Sequence, residues 1–206
     1  MPTSSKYGKL YTALMIKKLN EFSPIESILD IGVGEGTYFN ILSPYLENTK
    51  WSGIEIWKPY ITKYDLRSKY EILINRDVRQ INFDEGPSYD LTIFGDVLEH
   101  MTKLEAQTLI KTIIPKTNLI MISIPIIDFS QDVVGGNPFE KHIKDDWSHE
   151  EVLESFPSII SAFIHEFIGV YFLSTNSEFS ATVRKIQSQI SKLVKTNSAN
   201  ETIFWV

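Results

Sequence analysis

Short runs rich in β-branched and aromatic residues alternate along this chain with longer segments whose apolar positions recur at intervals of three and four. The short runs predict strands over 27–31, 51–56, 70–75, 89–94 and 118–124. The longer segments predict helices over 37–46, 59–68 and 102–114, the second opening on Pro59, a residue suited to a first helical turn. Such alternation predicts a parallel sheet covered by helices. Residues 1–22 mix lysines with apolar positions at helical spacing and lack a signal-peptide core with its small-residue cleavage site, so a helix retained on the mature chain is expected.

After the fifth strand the pattern changes. Residues 125–147 are rich in Asp, Gly, Asn and Lys and carry no period, which predicts an insertion acting as a lid, because structureless stretches of this length are uncommon. Ser148 and Glu151 have the spacing of a capping box and should begin a short helix. Segments 159–167 and 170–174 read as a closing antiparallel pair hinged near Gly169. Val183, Ile186, Ile190 and Leu193 make one apolar stripe on a terminal helix over 178–196. With no internal repeat and a length near that of one domain, residues 1–206 are read as a single domain.

Composition narrows the function classes. A hydrophobic fraction of 43% is enough for one substantial core. A net charge of −6 and a pI near 5.3 remove general attraction to polyanions, so bulk nucleic-acid binding is not expected. The most apolar stretch, 119–127, is less than half of the roughly 20 residues a spanning helix needs and is interrupted by Pro125, so no membrane insertion is expected. The absence of cysteine excludes disulfides, thiolate zinc sites and thiol catalysis, and fits a reducing, cytoplasmic setting. Oligomeric state is left open.

The segment SILDIGVGEGTYFNIL carries the chemistry. An apolar strand ends near Asp30 and is followed at once by Gly32, Gly34 and Gly36 and then by a helical pattern. A backbone without Cβ turns tightly and approaches a ligand closely, while the helix N-terminus beyond presents free amide donors. A dinucleotide fingerprint would need its third glycine three positions after the second, where Thr37 stands. Glu55 lies at the end of the second predicted strand, 19 residues after Gly36, where doubly wound nucleotide sites place a ribose-binding acid.

With its D-x-G-x-G-x-G spacing this segment resembles the class I S-adenosylmethionine-dependent methyltransferases. The run SYDLTIFGDVLEHM resembles the strand and D-V-L-E-H turn of that family's small-molecule branch, and the fifth strand ends in SIPI, as in the same branch. The resemblance spans about residues 27–174. It implies a Rossmann-like α/β fold, with a seven-stranded mostly parallel sheet whose last strand is antiparallel and helices on both faces. It implies S-adenosyl-L-methionine as cofactor and a small-molecule, sugar or lipid-type acceptor. On it, Asp30, Gly32, Gly34, Gly36, Glu55, Ile56 and Trp57 hold the adenosyl group, Asp77 and Val78 the adenine, and Gly95, Asp96 and Val97 the methionine and methyl end. A noncatalytic cofactor-binding module on the same fold is the alternative. A nucleic-acid amino-methyltransferase is disfavoured because GDVLEH stands where its D/N-P-P-Y/F turn belongs.

His100 is the candidate base, since imidazole titrates near neutrality; its other reading is a loop scaffold. The run GNPFEKHIKDDWSHEE concentrates Asn137, Glu140, His142, Asp145, Asp146 and His149. Asn137, Glu140 and His142 are candidate substrate contacts, and a similar G-N-P-F-E-K-H run is found in small members of the same family. No short histidine spacing marks a ligand set, so no metal is expected. Tyr7 and Tyr11, four apart on the first helix, are candidate substrate contacts whose other reading is core packing. His165, in an apolar strand, reads as a core residue.

Overall fold

The structure, a computed structural model, describes residues 6–197, with residues 191–197 described by their backbone alone. Seven strands form one sheet: β1 (Ser27–Ile31), β2 (Lys50–Ile54), β3 (Ile72–Ile74), β4 (Tyr89–Gly95), β5 (Thr117–Pro125), β6 (Ile159–His165) and β7 (Ile168–Leu173). Their order across the sheet is β3-β2-β1-β4-β5-β7-β6. β7 runs antiparallel to both neighbours, and every other pairing is parallel. The expected seven-stranded Rossmann-like sheet is therefore present, with its strand order reversing between β1 and β4. At such a switch point the two connections leave in opposite directions and open a crevice at the carboxyl ends of the strands.

The helices are α1 (Lys6–Phe22), α2 (Thr37–Leu42), α3 (Lys58–Lys63), α4 (Lys103–Ile113), α5 (His149–Ser155) and α6 (Ser177–Asn197). The sheet is buried on both faces. Met15 and Ile16 of α1, Leu42 of α2, and Val183 and Ile186 of α6 pack on one face with Ile28, Leu91, Met121 and Phe172. Leu109 and Ile110 of α4 and Val152 of α5 pack on the other with Leu29, Phe94, Ile120, Ile122 and Leu173. Alternate residues of one strand thus serve opposite layers, which is why these strands read as continuous apolar runs rather than as polar-apolar alternation. The stripe residues Val183, Ile186 and Ile190 are buried as expected. Leu193 and residues 1–5 of the N-terminal segment lie outside the described side chains and residues.

Several boundaries shift for local reasons. The helix expected over 37–46 ends at Leu42, where Pro44 tightens the chain into a 3-10 turn over Ser43–Tyr45. The helix expected over 59–68 stops at Lys63, because Asp65 takes a left-handed conformation with φ 47° before a second 3-10 turn, Leu66–Ser68. α4 begins on a complete capping box, Thr102 with Glu105, and Ser148 caps α5 through the Glu151 N–H at 3.1 Å.

The expected hinge at Gly169 is corrected. The chain reverses at Glu166 and Phe167, with Glu166 at φ 52°, and Gly169 lies inside β7. Its lack of a side chain serves packing. A Cβ there would fall 2.4 Å from Cε2 of Tyr171, the ring that covers it. Tyr171 is fully buried, and its hydroxyl meets Nδ1 of His149 at 2.9 Å. We predict that Gly169→Ala displaces this ring and destabilises the chain by about 1–3 kcal/mol, the usual cost of overpacking. Urea unfolding measures it, and a change near zero would mean that the ring moves freely.

Candidate functional site

β1 delivers the chain to the switch point at Ile31, and the turn that follows is built from glycines because every second residue is left-handed. Gly32, Gly34 and Gly36 have φ of 69°, 56° and 77°. In each, an L side chain would be strained by roughly 1–2 kcal/mol. Only at Gly34 is the space beyond Cα open, the nearest atom to a built Cβ being the Gly32 carbonyl oxygen at 3.9 Å. At Gly32 a Cβ would strike Cγ2 of Val97 at 2.5 Å, and at Gly36 it would meet Nζ of Lys69 at 3.1 Å. Gly34 is thus the position of close approach, and its neighbours close the turn.

Glu55 follows β2 directly and is buried. One carboxylate oxygen accepts the Gly34 N–H at 2.8 Å and the other accepts the Trp57 N–H at 2.7 Å. Burial raises the Glu55 pKa, and these two backbone donors oppose the rise. Asp30 lies beneath the turn, where Oδ2 accepts from the Tyr70 hydroxyl at 2.6 Å. Burial pushes its carboxyl up to about 7, with Tyr70 pulling it down and Glu55 adding to the rise.

The turn opens onto a cavity of about 660 Å³. Its walls bring together Gly32, Gly34, Glu55, Ile56, Asp77, Val78, Gly95, Asp96, Val97, His100, Asn137 and Glu140 of the residues singled out from sequence. Asp30, Gly36, Trp57, Tyr7, Tyr11 and His142 are not among the lining residues. Trp57 instead packs its ring edge-on to Phe139, with centroids 6.0 Å apart. Tyr11 is a core residue, stacked on Phe163 and hydrogen-bonded to Ser161 at 3.1 Å, and Tyr7 stacks on His165. The core-packing alternative fits Tyr11, whereas Tyr7 remains 47% exposed, and Lys9 is the α1 residue that lines the cavity.

At the far end, Gly95 closes β4 because Tyr38 occupies its side-chain space: a Cβ would fall 1.9 Å from Cε2 of that ring. Asp96 is left-handed at φ 57° without being glycine, and Oδ1 accepts from the Ser123 hydroxyl at 2.9 Å. Such conformations cost on the order of 1–3 kcal/mol and collect at functional sites. Asp77 caps its own 3-10 turn, Val78–Gln80, and is clasped by Arg79, whose guanidinium holds the carboxyl below the usual range.

The insertion covers the cavity. Val134, Gly135, Pro138, Phe139, Lys141 and Ile143 line it alongside Asn137 and Glu140. Glu140 is fastened to α3 by the Tyr60 hydroxyl at 3.0 Å. At its other end, the N–H groups of Ile143 and Lys144 donate to the Glu99 carbonyl at 2.8 and 3.1 Å. The strap also brings His142 beside His100, with ring centroids 5.0 Å apart. His100 Nδ1 meets the Lys141 carbonyl at 3.1 Å, and His142 Nδ1 meets that of Phe129 at 2.6 Å. Burial lowers the His100 pKa, and burial drives that of Glu99 well up, with the Asp96 charge adding to it. One ligand-type atom from each of Glu99, His100 and His142 lies within 4.8 Å of the others. Sequence spacing did not reveal this group, because 42 residues separate the two histidines. Tyr38, Tyr60 and Tyr64 also line the cavity and were missed; the tyrosines four apart on and just after α3 were the available signal.

Comparison with known proteins adds the fold's relatives. No family model matches the chain, and no curated protein is similar to it in sequence. Solved structures are similar. A S-adenosylmethionine-dependent methyltransferase from Clostridium acetobutylicum ATCC 824 superposes with TM-score 0.63 at 12% identity, over 82% of this chain and 92% of that one. The fold is that of the S-adenosylmethionine-dependent methyltransferases. The plantazolicin methyltransferase BpumL, in complex with a desmethyl plantazolicin analogue and S-adenosylhomocysteine, gives TM-score 0.63 at 13% identity, over 84% and 86% of the two chains. An O-methyltransferase family protein from Burkholderia thailandensis gives 0.58 at 12% identity over 82% of this chain, which spans only 57% of that relative's length. Among the described residues no helix is long and apolar enough to cross a membrane.

Asp30 ties stability to pH. Its carboxyl rises from an ordinary 3.8 to about 7, so the folded chain holds a proton that the unfolded chain has released between those values. The contribution is full below the unfolded value and is lost as pH rises through the folded one. We predict that the melting temperature of the wild type falls relative to that of Asp30→Asn between about pH 4 and 7. Parallel melting curves across that window would show that Asp30 titrates normally.

Proposed function

We propose that this chain is a methyltransferase that binds S-adenosyl-L-methionine in the cavity at the ends of β1, β2 and β4 and methylates a small-molecule, sugar or lipid-type acceptor. The observation that carries the reading is the left-handed glycine turn facing a buried Glu55 across that cavity. The open space over Gly34 admits a ligand backbone that a Cβ would exclude. Each Glu55 oxygen spends one lone pair on a backbone N–H, and the remaining lone pairs accept the two ribose hydroxyls. Asp77 and Val78 border the end of the cavity assigned to adenine, where Arg79 already engages both Asp77 oxygens, so accepting from an exocyclic amine requires Arg79 to give way. Gly95, Asp96 and Val97 border the methionine end.

Bound there, the cofactor supplies an electrophilic methyl group on a sulfonium whose departure leaves a neutral thioether. The chain's part is to align the acceptor opposite that sulfur and to exclude water, from which most of the rate enhancement is expected. The strap from Val134 to Ile143 and its tie from Glu140 to Tyr60 serve both purposes. His100 stands in the wall at the methyl end. A carbonyl oxygen only accepts, so its bond to Lys141 fixes the proton on Nδ1 and leaves a lone pair on Nε2.

Calorimetry with S-adenosylhomocysteine is the test, with one molecule bound per chain expected and no shift of melting temperature by NAD. In Glu55→Gln the amide offers one acceptor oxygen where two are used, and affinity should fall by roughly 10- to 100-fold, given about 1.5–3 kcal/mol for a hydrogen bond to a charged group. Absence of binding to the wild type would reject the reading, while binding without transfer to any acceptor would leave a noncatalytic module.

A further inference from the structure

We propose that Glu99, His100 and His142 form a site for one first-row divalent cation, of the zinc, cobalt or iron(II) kind, in the wall of the cavity. Two imidazoles and a carboxylate are a common donor set for these metals, leaving one or more positions open for water or substrate. The arrangement goes beyond proximity. Both histidines donate Nδ1–H to backbone carbonyls, those of Lys141 and Phe129, and this is the outer contact that orients a metal-binding imidazole with its Nε2 lone pair free. Glu99 is 2% exposed, and its Oε2 has no hydrogen-bond partner among the described residues. A buried carboxylate oxygen left unpaired is costly unless a proton or a cation compensates it.

The members come from two separate segments of the chain. Glu99 and His100 lie in the 3-10 turn Leu98–His100 after β4, and the strap brings His142 to them through the bonds of Ile143 and Lys144 to the Glu99 carbonyl. The ligand atoms now fall within 4.8 Å of one another, against about 3.3 Å in a tetrahedral site with bonds near 2.0–2.1 Å. Metal binding requires the side chains to close that difference by rotation. His100 is the member that lines the cavity, so the cation's open position lies on the side where the acceptor would enter. The donors are separate from the glycine turn and Glu55, so the site stands without the methyl-transfer reading; with a cation bound, the His100 Nε2 lone pair is a ligand and no longer a base.

The test is a titration of the chelator-treated full chain with Co2+ in the absence of any nucleoside. One cobalt per chain is expected, with visible d–d absorption, and it should be displaced by Zn2+. His142→Gln and Glu99→Gln should each weaken binding by at least tenfold, the lower end of what even an outer contact contributes. Asp132→Asn, at an exposed acid of the strap, should leave it unchanged. No stoichiometric binding, or binding indifferent to both ligand variants, would overturn the proposal. Should the variants fail to fold, proton NMR of the cobalt-loaded wild type decides: two shifted, exchangeable imidazole N–H signals are expected, and fewer than two count against the site. Binding of S-adenosylhomocysteine without cobalt would reject the cation site alone, and cobalt binding without S-adenosylhomocysteine would reject the transfer reading alone.

Discussion

The bridge made by one carboxylate organises this molecule. Glu55 takes the Gly34 N–H on one oxygen and the Trp57 N–H on the other, and so joins the turn after β1 to the start of α3. Both donors belong to backbone that helix and strand leave unsatisfied, one in a left-handed turn and one at a helix N-terminus. A charged acceptor strengthens both bonds, and burial in a site of low dielectric strengthens them further. The crevice at the switch point therefore has a fixed floor before any ligand arrives, which spares a ligand the cost of ordering it.

The part of this organisation that could be read from the sequence is the part that rests on local rules. Alternating strand and helix patterns implied the parallel sheet, and turn chemistry implied the glycine cradle, because positive φ and close approach demand residues without Cβ. Glu55 was legible by its distance along the chain. What could not be read depends on side chains meeting across long separations. Tyr38 fills the space that Gly95 leaves, and Tyr171 fills that of Gly169, so the glycine expected near a hinge is a packing site. Asp30 belongs to the glycine motif but points to Tyr70 beneath the turn. Element ends were misplaced where a single residue, Pro44 or Asp65, broke the helical period early.

The strap illustrates the same limit. Its composition marked residues 125–147 as an insertion, yet no period in it predicts which backbone groups it engages. In the structure its fastenings include Glu140 to Tyr60 on one side of the sheet's switch point, and on the other Ile143 with Lys144 to the Glu99 carbonyl, the Lys141 carbonyl to His100, and Lys144 to Glu151. Trp147 anchors the end of the strap in the core, against Phe156.

Two carboxylates of this region have opposite fates. Asp77 is clasped by Arg79 and held acidic, whereas Glu99, deeper in the same half of the molecule, has no cationic partner among the described residues and is held high by burial and by the charge of Asp96. A fold that only needed to fill space there would be better served by an apolar side chain of similar volume, since an unpaired buried carboxyl contributes nothing to stability. Its neighbours are two imidazoles locked into the tautomer that leaves a lone pair free, and an aspartate kept in a strained left-handed conformation. Strain, burial of an unpaired acid and restricted tautomers all coincide at one end of the cavity. That is the distribution expected where local stability has been given up for function, and it lies beside Asp96 rather than beside the glycine turn.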